Sequence, residues 1–332
     1  MPSDASTEPA LLAEVRRGAI IEGLIRGHIV LVDATGRPVR AVGDPNSVST
    51  LRSASKPFQA ASFVETGTAA DLGLGDDSIA IACASHLGEP GHVEAARRIL
   101  EAAGLDESAL QCGFQLPGDP TACAELLGRG ESPSPIYNNC SGKHSAMVAT
   151  CVHQGWPTES YLERDHPLQV EIAERLAGHA GLRAEEMPFG IDGCGLPTFG
   201  LSLRDFATAL ARAAGSDSAF QSCQSAMAQH PWLIRGTNSF DSALVGVAGE
   251  RFTAKGGAAA VFGAVARDGS WALVIKLESG AAAGLAQIAA RALQQIDQLA
   301  SALPPSLSEL VDDPVTNWVG TPVGEIRTVF QL

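Results

Sequence analysis

The chain has strand-like patterns at both of its ends and helical patterns in between, which strongly constrains its fold. Residues 18–43, GAIIEGLIRGHIVLVDATGRPVRAVG, alternate apolar and polar residues and break at DATGRP, which predicts a two-stranded hairpin. Residues 243–280 contain further strand-like runs with ARDG as a hairpin turn, and GTPVGEIRTVFQL predicts a last strand. We therefore expect one α/β domain, residues 14–332, whose sheet takes strands from both termini, after a flexible segment 1–13.

The segments between these strands are assigned from periodicity and from turn residues. STLRSASKPFQAASFVETG predicts a turn that enters a helix, because Pro57 is tolerated in a first helical turn. DSIAIACASHLGEP is a short apolar run that resembles a strand and ends in a loop. Residues 113–145 are rich in Gly, Pro, Asn and Cys and are predicted to be mostly loop. Further helices are predicted at 91–105, 166–180, 203–214, 218–229 and 281–301.

Composition excludes several classes of partner. The 332 residues carry a net charge of -14, which argues against nucleic acid or an anionic membrane surface, since both require clustered Lys and Arg. No signal peptide is recognised in MPSDASTEPA, and ESGAAAGLAQIAARAL is too short to span a bilayer. Seven scattered cysteines fit a reduced, cytoplasmic protein better than a disulfide scaffold.

The spacing of Ser53 and Lys56 is the first candidate catalytic pattern. Residues i and i+3 share a helix face, and a desolvated lysine can lose its proton near neutral pH and activate a serine hydroxyl. Only four of the 23 basic residues are lysines, so a remaining lysine suggests a need for a deprotonatable amine. A serine and a lysine on the solvent face of an ordinary helix would give the same pattern.

Two more segments carry candidate polar groups. Ser85 and His86 follow the apolar run in ACASHLGEP, at the kind of position that often opens onto a cleft, although a helix-capping serine would look alike. Lys255 ends a strand-like run and precedes two glycines, which permit close approach of the backbone to a ligand. An edge-strand lysine before a turn is the ordinary alternative for Lys255.

A possible metal site is contained in YNNCSGKHSAM and GIDGCGLPT. Cys140, Lys143, His144 and Cys194 offer ligands of the type that zinc prefers, within turn-rich backbone. A single C-x-x-[KH] spacing is a weak zinc signal, and buried inert cysteines are the competing interpretation. The segment is not a phosphate-binding P-loop, because His144 follows the Gly-Lys pair where a hydroxyl residue is required.

The order of Ser53-x-x-Lys56, a serine loop and Lys255-Gly-Gly resembles serine β-lactamases, penicillin-binding proteins and their glutaminase relatives. A closer resemblance, over about residues 14–331, is to the rhizobial-type L-asparaginases of the asparaginase II family. Five segments carry this second resemblance in order: RRGAIIEGLIRGHIVLVDATG, RSASKPFQA, ACASHLGEPGHVEAARRIL, NNCSGKHSAM and GIDGCGLPT.

This resemblance implies a β-lactamase-like fold with an antiparallel-rich central sheet between helices, a homodimer, and hydrolysis of L-asparagine to L-aspartate and ammonia. It implies two catalytic pairs, Ser53 with Lys56 and Ser85 with Lys255, and leaves open which serine is acylated. It also implies zinc ligation by Cys140, Lys143 and Cys194. Arg52, His86 and Asp192 are then candidates for substrate binding.

Two alternative functions share parts of this pattern. A penicillin-recognising hydrolase or esterase on the same fold would use the same Ser-Lys chemistry, although penicillin targets lie outside the cytoplasm and no signal peptide is recognised here. A non-catalytic zinc-binding protein would keep the cysteines and release no ammonia from any amide. The sequence leaves both alternatives for experiment.

Overall fold

The structure is a computed structural model that describes residues 8–312 and 314–332. Eleven strands are assigned in this part of the chain: β1 Ala10–Arg17, β2 Ile20–Asp33, β3 Pro38–Val42, β4 Val48–Thr50, β5 Phe189–Ile191, β6 Pro197–Ser202, β7 Phe252–Gly257, β8 Val261–Ala266, β9 Trp271–Leu277, β10 Val315–Thr316 and β11 Pro322–Thr328.

Twelve α-helices are assigned in the same residues: α1 Lys56–Glu65, α2 Thr68–Asp71, α3 Asp76–Ala82, α4 Pro90–Ala102, α5 Pro120–Gly128, α6 Ser141–Gln154, α7 Pro167–Ala180, α8 Leu203–Ser216, α9 Ser218–Gln229, α10 Phe240–Ala248, α11 Leu285–Gln295 and α12 Pro305–Val311. Short 3-10 turns precede α1 (Arg52–Ser55) and follow β7 (Ala258–Ala260). No helix in these residues has the length and apolar character needed to cross a membrane.

The main sheet is antiparallel and joins the two ends of the chain. Its strands run in the order β10-β11-β1-β2-β9-β8-β7, and β3 pairs with β2. The first strand pairs directly with the last, with Ala13 opposite Thr328, so the predicted sharing of one sheet between the termini is confirmed. A separate small sheet has the order β4-β6-β5.

Helices cover both faces of the main sheet. Alternate residues of β2 divide between two cores: Ile29 and Leu31 join a cluster with α11, and Val30 and Val32 join a cluster with α8. This period of two is what a strand buried on both faces produces. The predicted α/β class, with an antiparallel sheet between helical layers, is confirmed.

Helix α1 lies between the two cores and carries the Ser-Lys segment. Its residue Phe58 packs in the α8 cluster, whereas Ala61 and Phe63 pack in the α11 cluster. Pro57 occupies the first turn of α1, as predicted. Because α1 is buried on nearly every side, a polar residue on it must find partners inside the protein.

Several local predictions are confirmed and others are wrong. The β2–β3 hairpin and helices α1, α4, α7, α8 and α9 lie where the patterns indicated. The apolar run before Ser85 is helix α3 rather than a strand, because a short apolar run cannot be distinguished from a buried helix by periodicity alone. The segment 113–145 contains α5 and the start of α6 as well as loop.

The N-terminal boundary also differs from the prediction. Strand β1 begins at Ala10, inside the segment 1–13 that was expected to be flexible, and it is held there by β2 and β11. The earliest part of that predicted segment, residues 1–7, lies outside the described residues. The last predicted helix, 281–301, is shorter and spans Leu285–Gln295.

Two glycines of β2 should respond differently to alanine. A Cβ at Gly27 would lie 2.3 Å from the Lys276 carbonyl oxygen on β9, whereas one at Gly23 would lie 3.4 Å from the Val15 side chain. We expect Gly27→Ala to lower the free energy of unfolding by about 1–3 kcal/mol, because it forces the β2–β9 pair apart. Gly23→Ala should change it by less than about 0.5 kcal/mol. Urea unfolding of both variants beside the wild type tests this, and equal effects would contradict it.

Candidate active site

Ser53 lies in a strained turn at the entrance of α1. The preceding residue, Arg52, has a φ of 46°, a conformation that is unusual for a residue other than glycine. The Leu51 N–H donates to the Phe199 carbonyl at 3.0 Å, which ties the turn to β6. The Ser53 hydroxyl is partly exposed and makes no hydrogen bond within the described residues. It is therefore free to meet a ligand.

Lys56 is completely buried beneath this turn. Its amine donates to the Ala84 carbonyl oxygen and, at 3.4 Å, to the Asn139 carbonyl oxygen. Burial lowers the pKa of Lys56, while the nearby Cys140 opposes the shift. The amine makes no hydrogen bond to Ser53 in this arrangement, although the two residues are three apart on the same turn.

Ser85 follows α3 and has a buried hydroxyl. Its backbone N–H donates to the Ile234 carbonyl at 2.9 Å, so its position is fixed by a distant segment. The hydroxyl has no hydrogen-bond partner among the described residues. A buried hydroxyl without a partner is costly, and such groups often mark a site where a ligand or water binds.

Lys255 is the second buried lysine, near the end of β7. Its amine donates to the Gly256 carbonyl at 2.7 Å and pairs with the Asp241 carboxylate at 3.3 Å. Burial lowers the pKa of Lys255 to about 8; Lys56 and Arg235 add to the shift, and Asp241 opposes it. A substantial fraction of this amine is therefore neutral at mildly alkaline pH.

Ser53 and Ser85 open onto one cavity of about 350 Å³. Its wall also contains Asn139, Arg235, Asp241 and the backbone that follows β7. Both buried lysines contact residues of this wall: Lys56 donates to the Asn139 carbonyl, and Lys255 donates to the Gly256 carbonyl and pairs with Asp241. Two hydroxyls and two lysines therefore meet at one place, from three separate segments of the chain.

The backbone around the cavity is tightly packed and strained. A Cβ at Gly257 would lie 3.1 Å from the Ser53 nitrogen and 3.0 Å from the Ala54 nitrogen, so only glycine fits there without displacement. Ala259 and Ala260 have φ values of 60° and 52°. Strained residues that persist in a fold often belong to functional sites, and these two line the cavity.

Cys140, Lys143 and Cys194 form a second buried cluster beside Lys56. The Cys140 sulfur accepts a hydrogen bond from Cys194, which together with Lys56 and Lys143 holds the pKa of Cys140 well below its ordinary value. The same hydrogen bond raises the pKa of Cys194. Burial lowers the pKa of Lys143, but the nearby sulfurs and Asp192 outweigh it and raise the pKa overall. The two sulfurs and the amine therefore lie close enough to shift one another's pKa values, and Cys140 Sγ also lies 3.0 Å from Asn139 Oδ1.

The donor types of this cluster fit a zinc ion. Two sulfurs and one amine are borderline-soft ligands of the kind that zinc takes, once the amine has lost its proton. No group of three or more His, Cys, Asp or Glu residues is arranged to hold a metal ion in the described chain. The fit of zinc to this cluster therefore depends on Lys143, because lysine is not one of those four residue types.

Arg52 and Asp192 form a partly buried ion pair next to this cluster. The Arg52 guanidinium donates twice to Asp192 Oδ1, at 2.8 and 3.0 Å, and Gly193 N donates to the same oxygen at 2.7 Å. Burial raises the pKa of Asp192, but Arg52 and Lys143 outweigh it and lower the pKa overall. The predicted substrate-binding residues Arg52 and Asp192 are thus brought together, with one Asp192 oxygen fully engaged.

His86 is placed differently from the other predicted substrate-binding residues. It is 1% exposed and does not line the cavity. Its Nδ1 accepts from the Gly88 N–H at 3.1 Å, so its Nε2 carries the proton and donates to the Ser141 hydroxyl at 2.9 Å. These contacts shape the loop that follows Ser85.

Three cavity residues were not anticipated from the sequence. Arg235, Asp241 and Asn139 line the cavity beside the two serines. Arg235 and Asp241 lie in HPWLIRGTNSFDSA, which carries no motif with a catalytic meaning. Asn139 adjoins the predicted zinc segment, but its contribution is a backbone carbonyl for Lys56, which no side-chain pattern can reveal.

Comparison with solved structures finds loose similarity. The chain matches a structure titled "Crystal Structure Analysis of Mglu" with 14% identity and a TM-score of 0.44, covering 88% of this chain and 72% of the other. It matches a β-lactamase from Mycobacterium bovis with 14% identity and a TM-score of 0.35, covering 75% of this chain and 86% of the other. No curated protein sequence matches the chain.

Comparison with family models gives a match over nearly the whole chain. Residues 13–328 match the family described as L-asparaginase II. The matched region includes Ser53, Ser85, Lys255 and the Cys140 cluster, and it runs from β1 to the end of β11. The chain therefore belongs to the L-asparaginase II family.

Proposed function

We propose that this protein hydrolyses L-asparagine to L-aspartate and ammonia through an acyl-enzyme intermediate on Ser53. Membership of the L-asparaginase II family supports an asparaginase-type amidohydrolase. The observation that supports the mechanism is the shared cavity, whose lining contains both Ser53 and Ser85. Two lysines buried behind this cavity have lowered pKa values, as bases near neutral pH require.

In the first half of the reaction, Lys56 in its neutral form accepts the Ser53 hydroxyl proton. The Ser53 oxygen attacks the carbon of the side-chain amide and forms a C–O bond. The negative oxygen that develops is stabilised by backbone N–H groups of Ser53 and of the segment after β7, which lies against it. The C–N bond then breaks, and the proton that Lys56 took from Ser53 passes through Lys255 and Ser85 to the nitrogen, which leaves as ammonia.

In the second half, a water molecule attacks the aspartyl ester and a lysine accepts its proton. The ester C–O bond breaks, and the proton returns to the Ser53 oxygen. L-aspartate is released and the enzyme regains its starting protonation. Ser85 paired with Lys255 is the mirror arrangement, with the acyl group on Ser85.

We also propose that Cys140, Lys143 and Cys194 bind zinc. When bound, zinc would supply a positive charge that helps to orient the substrate. Asp192 retains one oxygen free of Arg52 and supports a role in holding the substrate's ammonium group. The homodimer, the cytoplasmic location and the roles of Arg52 and His86 stay predictions.

The role of Ser53 is tested by comparing serine variants. We expect Ser53→Ala to reduce ammonia release from L-asparagine by roughly 10³-fold or more, because the nucleophile is lost. Hydroxylamine added to the wild type should capture the acyl group as aspartyl hydroxamate. Ser62→Ala is a matched control, since Ser62 lies on α1, directly after the turn that holds Ser53, and does not line this cavity. Activity retained in Ser53→Ala but lost in Ser85→Ala would move the acyl group to Ser85.

A pH dependence follows from Lys255. Its neutral form is needed in the relay, so kcat/KM should rise as the pH passes through about 8, where the Lys255 proton is lost. Asp241 raises the pKa of Lys255, so Asp241→Asn should move this rise to lower pH. Lys255→Arg should abolish the rise, because arginine keeps its proton throughout this range. If the pH at which kcat/KM rises were the same in Asp241→Asn and in the wild type, this assignment would be contradicted.

The zinc ligands are tested by metal content after dialysis. We expect zinc to be retained at neutral pH and released as the pH falls, because protons compete for the sulfurs and the amine. Cys194→Ser and Lys143→Met should each lower zinc retention, measured by elemental analysis. Cys123→Ser is the matched control, since Cys123 is a free cysteine outside the cluster. Full retention in both ligand variants would exclude these residues as ligands.

A further inference from the structure

Arg235 is an exposed residue of the cavity wall that the mechanism above does not use. It lies in the same lining as Ser53 and Ser85. Its backbone is fixed to the Ser85 segment by two hydrogen bonds, Ser85 N–H to Ile234 O and Leu87 N–H to Arg235 O, both 2.9 Å. The position of Arg235 is therefore coupled to that of Ser85 by the fold.

The guanidinium of Arg235 has nearly all of its donors unused. Its single hydrogen bond within the described residues is from one terminal nitrogen to the Ser85 carbonyl, at 3.3 Å. It takes part in no ion pair in the same residues. An exposed guanidinium with free donors can bind a planar anion with two parallel hydrogen bonds.

The acidic group of the cavity does not neutralise Arg235. Asp241 Oδ2 accepts from the Gly256 N–H at 2.8 Å and from the Lys255 amine at 3.3 Å. The Asp241 carboxylate is therefore already paired with two groups of β7. Asn139 is uncharged. Arg235 is therefore a positive charge without a partner in the cavity wall, and an anionic group of a ligand is the natural complement.

Arg52, the other arginine near Ser53, is in the opposite situation. Its guanidinium already binds Asp192 and it does not line the cavity. A substrate carboxylate at Arg52 would have to displace a carboxylate that is already held by three hydrogen bonds. Of the two arginines, Arg235 is therefore the one whose guanidinium has hydrogen-bond donors available for a substrate carboxylate.

We propose that Arg235 binds a carboxylate of the substrate and so restricts the cavity to amides that carry one. This inference rests on the proposed function and assigns the substrate class within it: amino-acid amides with a free α-carboxylate. Since Arg235 also contacts the Ser85 carbonyl, a bound carboxylate would be held at a fixed distance from both serines. Arg235 is then a specificity-determining residue.

The test removes the carboxylate from the substrate and the guanidinium from the protein, separately and together. 3-Aminopropanamide is L-asparagine without its carboxylate, and it keeps the amide and the amine. Because Arg235 also lowers the pKa of Lys255, both proteins are assayed at a pH above that titration. There we expect Arg235→Met to lower kcat/KM for L-asparagine by roughly 100-fold and kcat/KM for 3-aminopropanamide by less than about 3-fold. Arg235→Lys should recover part of the loss, since a charge remains without the fork geometry.

Two results would overturn the proposal. An equal loss for both substrates would show that Arg235 acts through the position of Ser85, and no loss for L-asparagine would show that it does not bind substrate. Arg129→Met is the matched control, because Arg129 is exposed, pairs with Glu131 and lies outside this cavity. It should leave both substrates unaffected.

A binding measurement keeps this proposal separate from the proposed reaction. If the wild type releases no ammonia from L-asparagine, the proposed function fails, and calorimetric titration with succinate still tests the carboxylate site. We expect succinate to bind the wild type and to bind Arg235→Met at least about 10-fold more weakly. Equal affinity in the two proteins, or no binding to the wild type, would overturn the assignment of Arg235.

Discussion

The burial of two lysine amines behind one cavity is the constraint on which the rest of the site depends. Removing an ammonium group from water costs several kcal/mol unless the protein supplies acceptors. Lys56 receives two backbone carbonyls, from Ala84 and Asn139, and Lys255 receives the Gly256 carbonyl and Asp241. These acceptors offset only part of the cost, so both pKa values are lowered. In the proposed mechanism, this incomplete compensation is what allows the lysines to act as bases.

The fold brings these acceptors together by placing β7 at the edge of the main sheet. In the described chain β7 pairs with β8 on one side only, and its other side meets the turn that holds Ser53. An edge strand offers unpaired backbone groups, which would ordinarily be a liability. Here the glycines at its end allow the serine turn to approach closely, so the open edge becomes a wall of the cavity. The central position of α1 between two cores keeps that turn in place.

How much of this could be predicted from the sequence depends on whether the signal is local. The β2–β3 hairpin and the amphipathic helices α7 and α8 follow from periodicity within each segment, and they are confirmed. Helix α3 was missed because it has only seven residues, and its apolar part, residues 79–82, is too short to show a helical period. The serine and lysine motifs were visible because their spacing has a chemical meaning. The partners of Lys56 and Lys255 were not, since three of them are main-chain carbonyls and Asp241 carries no motif.

The contrast between Arg52 and Arg235 shows why residue type alone cannot assign a role. Both are arginines close to a serine of the cavity, yet Arg52 is neutralised by Asp192 and Arg235 has no acidic partner in the described residues. The difference is set by residues about 140 and 150 positions away in sequence, Asp192 and Ser85. The unpaired charge of Arg235 is also opposite in sign to the net charge of the molecule. The chain has a net charge of -14, but exposed charges are screened beyond about 8 Å at physiological ionic strength. A ligand inside the cavity therefore responds to Arg235 and the buried lysines, and to little of the acidic surface outside.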